Sequence, residues 1–360
     1  MKPVQAIAGR PLYATVKDAV RDAIDRGEFA PGDQLPSTKA LADQLSVSLV
    51  TVHRALQELV TSGVLRRGQG KGTFVHEHYS ALTSKATGLR FGLVFHVESS
   101  LADSYHGQIF EGVRQRSGEL GIDLVLLRFG EDWRNECQGY LFVNPFEEQL
   151  AKPLRFNAKK NEAQHLMVVG ASFDRDSVSC VDTDNADMAR QALKRFRAAG
   201  HTRIGFLGGD DSIANNTDRW LGFLDAARLA GLAESEAVSI RSPGWRLDDA
   251  GRDALRAMLT RKDRPTAIFA AGYYYALDIY AIAAELGLSI PGDISLIGID
   301  DPPSAAHLSP ALTTFRQPLV QLGRLAVGGL YEVATDDDLP PQRTTLKAQL
   351  IERDSVAPPA

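Results

Sequence analysis

The sequence predicts an α/β chain made of two unlike parts. Its first 76 residues have the pattern of three amphipathic helices followed by a short glycine-rich hairpin, and from Phe91 onward apolar strands alternate with amphipathic helices. With 360 residues, of which 44% are hydrophobic and 24% charged, the chain has room for two or three domains that each bury a core. We expect an N-terminal domain over 1–76, a linker over 77–90 and an α/β domain over 91–356.

Charge is distributed unevenly between these parts. Residues 1–76 carry ten Lys and Arg against seven Asp and Glu, whereas the remainder carries 30 against 38. A mildly basic head on an acidic body suits a protein whose head alone meets phosphates, although chance explains so small an excess as well.

Other features of the composition bear on compartment and cofactors. Cys137 and Cys180 are too few for a disulfide framework or a zinc site. His76 and His78 flank Glu77, but nothing nearby completes a metal site, so we expect no metal and no cofactor. The first residues lack the apolar core of a signal peptide, and no run has the length of a membrane span. We therefore expect a cytoplasmic protein without a membrane partner.

The head begins with three predicted helices. The first spans about 12–26 and stops at Gly27, while Ser37 is expected to cap the second and Ser48 the third. Apolar side chains at helical spacing support them, namely Val16, Ala19, Val20, Ile24, Leu41, Ala42, Leu45, Val52, Ala55, Leu56 and Leu59. A tight turn separates the second and third helices. This is the pattern of a helix-turn-helix, in which the exposed N-terminal end of the last helix enters the major groove of DNA.

A hairpin with three glycines follows directly. Gly68, Gly70 and Gly72 let its backbone approach a partner closely, and Gln69 and Lys71 project from its tip. A phosphate-cradling nucleotide loop is an alternative, but the GxxxxGK[ST] spacing and the following helix are missing. A plain hairpin is another. The position behind a helix-turn-helix favours a DNA-contacting wing.

These motifs resemble the winged helix-turn-helix of the GntR family of bacterial regulators. The matching strings are LYATVKDAVRDAIDRGEFAPGDQLPS, LADQLSVSLVTVHRALQELVTSGVL and RRGQGKGTFV. The DNA-binding residues expected from the exposed helix end, the hairpin tip and the resemblance are Lys39, Ser48, Leu49, Thr51, His53, Arg54, Gln69, Gly70 and Lys71. The family most often has Arg where this chain has Leu49 and His53. Leu49 can contact a thymine methyl group but cannot hydrogen-bond to guanine, so the operator sequence is not implied.

The body alternates strands with helices. The predicted strands are FGLVFHV, IDLVLLRF, GYLFVN, HLMVVGA, RIGFLGG, AVSIRS, TAIFAA and ISLIGID, and helices are predicted over about 105–120, 186–199, 217–230, 248–261 and 274–286. Such alternation predicts parallel sheets with helices on both faces, whose ligands bind at the carboxyl ends of the strands. Few residues separate the strands near 129 and 139, so one helix is expected to be shortened or lost.

Several strings of the body resemble the effector domain of the LacI family, which is similar to periplasmic sugar-binding proteins. They are VDTDNADMARQALKRFRAAGHTRIGFLGG, DRWLGFLDAARLAGL, RPTAIFAA, ELGLSIPGDISLIGIDDPPSAAHLSPALTTFRQP and LKAQLIERDS. The resemblance implies two Rossmann-like lobes around a cleft. Carried over residue by residue, it implies effector contacts at Tyr105, Arg219, Trp245 and Asp300.

One departure from the family pattern concerns the ligand. Gly272-Tyr273 stands where the family usually has Asn-Asp, so an aromatic cluster beginning with Tyr273 replaces a polar contact. On the residues alone, Asp300 could cap a turn and Trp245 could pack in the core. Polar groups that bind in pairs, together with flat apolar faces, suit a sugar.

The two resemblances together imply a ligand-responsive transcriptional regulator. We expect a homodimeric repressor of carbohydrate-utilisation genes, with operator DNA and a sugar-like effector as partners; an activator, or a response to a non-sugar molecule, is the alternative. An enzyme is disfavoured, since GxSxG, HExxH and a phosphate loop are missing. A solute-binding transport component is disfavoured by the head and by the missing signal peptide.

Overall fold

A computed structural model of the chain describes residues 11–25, 27–61, 64–68, 72–76, 88–130, 137–150, 165–173, 178–232, 237–336 and 339–359. They form two compact units. One comprises the N-terminal residues through Leu89 together with Ser117–Asp123, and the other comprises the rest of the chain.

The head has the predicted helices and hairpin. Its elements are α1 (Leu12–Asp25), α2 (Thr38–Leu45), α3 (Leu49–Thr61), β1 (Leu65–Gly68) and β2 (Gly72–Val75). The Ser37 hydroxyl accepts a hydrogen bond from the Ala40 backbone N–H at 3.2 Å, as expected of the α2 cap. Ser46 then turns the chain with a left-handed φ of 55°, which sets α3 across α2. Apart from Ala19, which is half-buried, the predicted apolar stripes of the helices form one buried core with Val64, which precedes β1, and with Leu65 and Val75 of the strands.

The body contains the remaining elements. They are β3 (Arg90–Phe95), α4 (Ser104–Leu120), β4 (Asp123–Arg128), β5 (Gly139–Val143), β6 (His165–Val169), β7 (Ser179–Thr183), α5 (Asn185–Ala198), β8 (Ile204–Gly209), α6 (Ala214–Leu229), β9 (Ala237–Ser242), α7 (Asp249–Thr260), β10 (Ala267–Ala270), α8 (Tyr273–Glu285), β11 (Ser295–Ile299), a 3₁₀ helix (Pro303–His307), β12 (Thr313–Arg316), α9 (Leu319–Thr335), β13 (Arg343–Leu346) and β14 (Gln349–Ile351).

The described strands of the body make two sheets, and each sheet defines a lobe. The first lobe has the order β13-β7-β6-β5-β3-β4, and the second has β14-β12-β11-β10-β8-β9. Neighbouring strands pair in parallel, for example β10 with β8 and β11, whereas β14 runs antiparallel to β12. Strands such as β5 and β8 are buried along their whole length, as expected of sheets covered on both faces.

Within the described residues, the chain passes between the lobes three times. It crosses from β7 to α5 through Asp184, from β12 to α9 through Gln317-Pro318, and from β13 to β14 through Lys347-Ala348. The first and third crossings touch, because the Asp184 N–H donates to the Leu346 carbonyl at 2.8 Å. Adjacent crossings of this kind form a natural hinge between two rigid lobes.

Helices α4 and α9 approach closely in the first lobe. A Cβ on Gly112 would lie 2.0 Å from the Val320 carbonyl oxygen, and one on Gly323 would lie 2.3 Å from that of Ile109. Only glycine permits this approach, which brings α9 onto the sheet of the first lobe.

Some elements were not predicted from the sequence pattern, namely β7, β12, α9 and β13. Strand β7 lacks an apolar run because it buries Ser179, Asp182 and Thr183. Helix α9 contains three glycines, which lower helix propensity, and its packing in the first lobe compensates. The segment 131–136, where a helix was expected to be shortened, and 77–87 of the expected linker lie outside the described residues. The strand β3 starts at Arg90, the last position assigned to the linker.

Candidate functional site

The N-terminal end of α3 presents an exposed face in the head. Leu49 and Val50 are 53% and 78% exposed, although both are large and apolar, while Val52, Ala55 and Leu56 are buried on the opposite side. Apolar side chains held in water at a helix end are typical of a contact surface. Lys39 is also exposed, in the first turn of α2.

Hydrogen bonds between neighbouring groups order the polar side chains at the N-terminal end of α3. The Ser48 and Thr51 hydroxyl oxygens lie 2.7 Å apart, and the Thr51 N–H donates to Ser48 Oγ at 3.2 Å, which caps α3. The Arg67 guanidinium of β1 donates to His53 Nε2 at 3.3 Å. Sequence reasoning did not select Arg67, although the RRG string before the hairpin turn was a signal for it.

Two further expectations for DNA contacts have different outcomes. The Arg54 guanidinium stacks 3.9 Å above the Tyr13 ring of α1, an arrangement that orients an exposed cation. The tip residues Gln69, Gly70 and Lys71 lie outside the described residues. The DNA-contacting roles of all these residues therefore stay predictions.

The second candidate site is a cavity of about 1190 Å³ between the two lobes of the body. It lies at the carboxyl ends of the strands, where His96 follows β3, Asn144 follows β5 and Asp300 follows β11. The structure brings all the expected effector residues into its wall, namely Tyr105, Arg219, Trp245, Tyr273 and Asp300.

Arg219 and Asp300 supply charge to this wall. Arg219, on α6, is only 6% exposed; its Nε donates to Asn185 Oδ1 at 2.8 Å and its Nη1 to the Ala271 carbonyl at 2.9 Å. Among the described residues neither bond uses Nη2, which leaves a donor for a ligand oxygen. Asp300 has a left-handed φ of 70° and accepts from Gln317 Nε2 at 2.7 Å. Burial raises the pKa of Asp300, while the Arg219 charge opposes the shift.

A buried carboxyl group stands behind Arg219. Asp182, the fourth residue of β7, accepts hydrogen bonds from the Thr183 N–H at 2.7 Å and from Asn185 Nδ2 at 3.0 Å. Burial raises the pKa of Asp182 to about 7, and the Thr183 hydrogen bond and the Arg219 charge oppose the shift. Asn185 therefore joins the cavity arginine to a carboxyl group of the first lobe.

Amide and hydroxyl groups form the floor of the cavity. Tyr105 donates to Asn144 Oδ1 at 3.3 Å, and burial raises the pKa of Tyr105, which keeps its hydroxyl a donor. Gly170, with a φ of +79°, leaves the space that the Tyr105 hydroxyl occupies, since a Cβ there would lie 2.2 Å from it. Asn215 Nδ2 donates to the Gly170 carbonyl at 3.1 Å, and its buried Oδ1 has no hydrogen-bond partner among the described residues.

Aromatic rings form one wall. Trp245 stacks on Phe146 with ring centroids 6.0 Å apart and meets the edge of His96 at 5.4 Å. Burial lowers the pKa of His96, although its hydrogen bond to the Asn144 carbonyl opposes the shift. Trp245 is half-buried and lines the cavity rather than the core of its lobe. A flat apolar face beside hydroxyl and amide groups is the combination that binds sugars.

A further hydrogen bond joins the two lobes across the cleft. Tyr274, in the first turn of α8, donates from its hydroxyl to Asp103 Oδ2 in the first lobe at 2.9 Å. The hydrogen bond to His106 and that from Tyr274 lower the pKa of Asp103 against its burial, so the acceptor is ionised. Arg246 lies 3.8 Å above the Tyr274 ring. Tyr273, by contrast, donates to Ser304 within its own lobe at 2.7 Å. Sequence reasoning missed Asp103 and Arg246, whose neighbours Tyr105 and Trp245 were selected.

The structure provides no sign of other site types in its described part. It contains no group of three or more His, Cys, Asp and Glu side chains arranged to hold a metal ion. Across the described segments, no helix combines the length and the apolar character needed to cross a bilayer.

A winged helix-turn-helix head and a two-lobed body with a cleft define the architecture of a DNA-binding transcriptional regulator. Residues 12–75 match the gntR family of bacterial regulatory proteins, and residues 193–356 match the periplasmic binding protein-like domain. The chain thus joins a head similar to the gntR family to a body similar to the periplasmic binding protein-like domain.

Relatives and solved structures agree with this assignment. The HTH-type transcriptional repressor PurR of Shigella sonnei is 26% identical over 341 residues, which span 90% of this chain and 97% of the relative. A cellobiose complex of the transcriptional regulator CelR has a TM-score of 0.65 at 22% identity, covering 89% of this chain and 100% of that one. A LacI family regulator from Enterococcus faecium with bound ribose has a TM-score of 0.62 at 19% identity, covering 75% and 99%. These structures show the fold of the body.

Proposed function

We propose that this chain is a repressor of carbohydrate-utilisation genes whose affinity for operator DNA changes when a sugar-like effector binds between the lobes. The observation that carries the proposal is the cavity wall, which sets Arg219 and Asp300 beside Asn215 and the flat face of Trp245. Charged and amide groups bind sugar hydroxyls, and an aromatic ring covers the apolar face of a sugar ring.

The relatives support the repressor and the sugar. PurR is named a repressor, and the two solved neighbours hold cellobiose and ribose. The residues proposed to contact DNA belong to the head. They are Lys39, Ser48, Leu49, Thr51, His53 and Arg54, with Gln69, Gly70 and Lys71 at the hairpin tip. The protein acts in the cytoplasm. It binds DNA as a homodimer, because helix-turn-helix dimers read two half-sites about 34 Å apart.

The test uses the full chain. Purified protein is incubated with fragments of its own genome, the retained DNA is sequenced, and binding is repeated across salt concentrations. We expect sequence-selective retention that weakens steeply with salt, since each neutralised phosphate releases a counterion. A thermal-shift screen of pentoses, hexoses, uronic acids and cellobiose then identifies the effector. Retention without sequence selectivity contradicts the regulator, and a screen in which none of these sugars raises the melting temperature contradicts the sugar effector.

A further inference from the structure

We infer that Asn185 and Gln317 are positioning residues that tie the charged groups of the cavity to two of the interlobe crossings, so that the cavity and the hinge change together. The inference deepens the proposed function, since it names the coupling between the effector site and the lobe arrangement. It starts from where these two amide side chains lie in the chain.

Both amides belong to crossings between the lobes. Asn185 is the first residue of α5, directly after the Asp184 crossing, and Gln317 lies within the crossing between β12 and α9. They are 2% and 5% exposed. Residues at such crossings take up the backbone rotation when two lobes move against each other, so their side chains move with the hinge.

Each amide also holds one charged side chain of the cavity. Asn185 Oδ1 accepts from Arg219 Nε at 2.8 Å, and Gln317 Nε2 donates to Asp300 Oδ1 at 2.7 Å. Neither Asn185 nor Gln317 lines the cavity itself. They therefore act through Arg219 and Asp300 and not as ligand contacts.

The first of these links continues into the other lobe. Asn185 Nδ2 donates to Asp182 Oδ2 and to the Thr183 carbonyl, both at 3.0 Å. Its orientation is fixed, because only an oxygen can face the guanidinium and only an amide N–H₂ can face two acceptors. Strand β7 of the first lobe is thereby joined through one side chain to a cavity arginine carried by the second lobe.

The second link holds Asp300 from two sides. Thr314 of β12, three residues before Gln317, donates from its hydroxyl to the Asp300 carbonyl at 2.7 Å. The left-handed backbone of Asp300 is thus fixed by β12, while its carboxylate is fixed by the crossing that follows β12. A ligand that draws on the Asp300 carboxylate competes with or reinforces the Gln317 bond, and a rotation of the crossing changes the same bond.

The test measures lobe geometry in the chain without sugar or DNA, so its failure is distinguishable from failure of the proposed function. Spin labels are placed at Leu126→Cys in the first lobe and Leu229→Cys in the second, which are 51% and 76% exposed. Labelled chains are diluted with unlabelled ones, and the inter-label distances are measured by electron double resonance. Cys137 and Cys180 are buried, and a chain without the introduced cysteines measures their background labelling.

Gln317→Met removes the donor at nearly unchanged length. We expect it to shift or broaden the inter-label distribution beyond the wild-type width. The matched control is Gln191→Met, which removes another amide-to-carboxylate bond of 2.7 Å, to Asp187 on α5, and should leave the distribution unchanged. A Gln317→Met distribution that coincides with that of wild type overturns the inference.

A donor–acceptor exchange separates coupling from general damage. Gln317→Glu removes the N–H donor and should shift the distribution, whereas Asp300→Asn/Gln317→Glu restores a bond with its direction reversed and should return the distribution toward wild type. At the other crossing, Asn185→Asp loses its donors to Asp182 and to the Thr183 carbonyl, and Asp182→Asn/Asn185→Asp restores the first of these bonds in reverse. If the double variants differ from wild type by as much as the single ones, the amides only stabilise the fold and the inference is wrong.

Discussion

Arg219 is a nearly buried guanidinium whose hydrogen-bond acceptors are neutral groups, the Asn185 amide and the Ala271 carbonyl. The acids near it, Asp182 and Asp300, both have raised pKa values because they are buried. A cation placed in this way gains from any oxygen that a ligand brings to it, since hydrogen bonds to charged groups are about twice as strong as neutral ones.

We therefore predict that Arg219→Ala abolishes the effector response. The loss of a charged hydrogen bond worth about 1.5–3 kcal/mol should weaken effector binding roughly 10- to 150-fold. Isothermal titration with the effector found in the screen measures this, and Arg219→Lys, which keeps the charge but loses the planar fork, should fall between. Normal effector binding by Arg219→Ala would contradict the assignment of the cavity.

Thr51 is predicted to act on DNA alone. Thr51→Ala removes a hydroxyl from the exposed end of α3 and should weaken operator binding by about 0.5–1.5 kcal/mol, the usual net contribution of one hydrogen bond. Thr51→Ser keeps the hydroxyl and should retain most of the affinity, and effector binding should be unchanged in both. Fluorescence anisotropy with the retained genomic fragment is the measurement; equal affinities for Thr51→Ala and wild type would remove Thr51 from the contact surface.

Asp182 makes stability depend on pH. Its folded-state pKa of about 7 exceeds the ordinary value of 3.8, so the folded chain keeps a proton that the unfolded chain has lost. Its contribution is complete below about pH 4 and is lost as pH rises through 7. The asparagine of Asp182→Asn does not titrate, so the wild-type chain alone loses stability here as pH rises. The melting temperature of the variant minus that of wild type should therefore increase from pH 5 to pH 8. A difference independent of pH would mean that Asp182 ionises normally.

At the scale of elements, helix packing in the first lobe depends on glycines of α9, although glycine lowers the helix propensity of the sequence. Gly323 and Gly328 lie on the same helix, α9, and differ only in what surrounds them. A Cβ on Gly323 would meet the Ile109 carbonyl oxygen at 2.3 Å, whereas on Gly328 the nearest atom would be Arg116 Nε at 3.9 Å.

The two substitutions to alanine should thus change the free energy of unfolding differently. Gly323→Ala forces α9 away from α4 and should lower the free energy of unfolding by about 1–3 kcal/mol, as overpacking does. Gly328→Ala should leave it unchanged or raise it by up to about 1 kcal/mol, because alanine favours helix. Urea unfolding measures both, and a Gly323→Ala protein as stable as Gly328→Ala would refute the close approach.

At the scale of the whole molecule, the lobes are held together by polar contacts across the cleft as well as by the crossings. Tyr274 and Asp103 are 171 residues apart in sequence and are joined by a 2.9 Å hydrogen bond. Because the acceptor is ionised, the bond favours the closed cleft before any ligand binds. A ligand need contribute only the rest of the free-energy difference between the open and the closed cleft.

Tyr274→Phe should open the cleft. The loss of about 1.5 kcal/mol or more would increase the open fraction roughly tenfold and lengthen the distance between the two spin labels. Tyr273→Phe breaks a bond within the second lobe and should leave that distance unaltered. Identical distances in Tyr274→Phe and wild type would show that the crossings and the other contacts across the cleft, such as that of Asn215 with the Gly170 carbonyl, hold the closed arrangement without this bond.

Local chemistry accounts for what the sequence by itself determined. Caps such as Ser37, helical spacing of apolar residues and β-α alternation act over a few residues, so the helices of the head and most strands of the body followed from the pattern. The cavity residues followed too, because the family resemblance implied that Arg219, Asp300 and Trp245 share one pocket. Their roles in binding stay predictions.

The tertiary structure alone decided which distant residues meet. Strand β7 has polar residues where a buried strand usually has apolar ones, and only its place between β6 and β13 makes it a strand. Asp103, Asn185 and Gln317 carry no local signal for their bonds to Tyr274, Arg219 and Asp300, because each of these partners lies in another element of the chain. Contacts across such sequence separations depend on the path of the whole chain, and a pattern that extends over a few residues does not contain it.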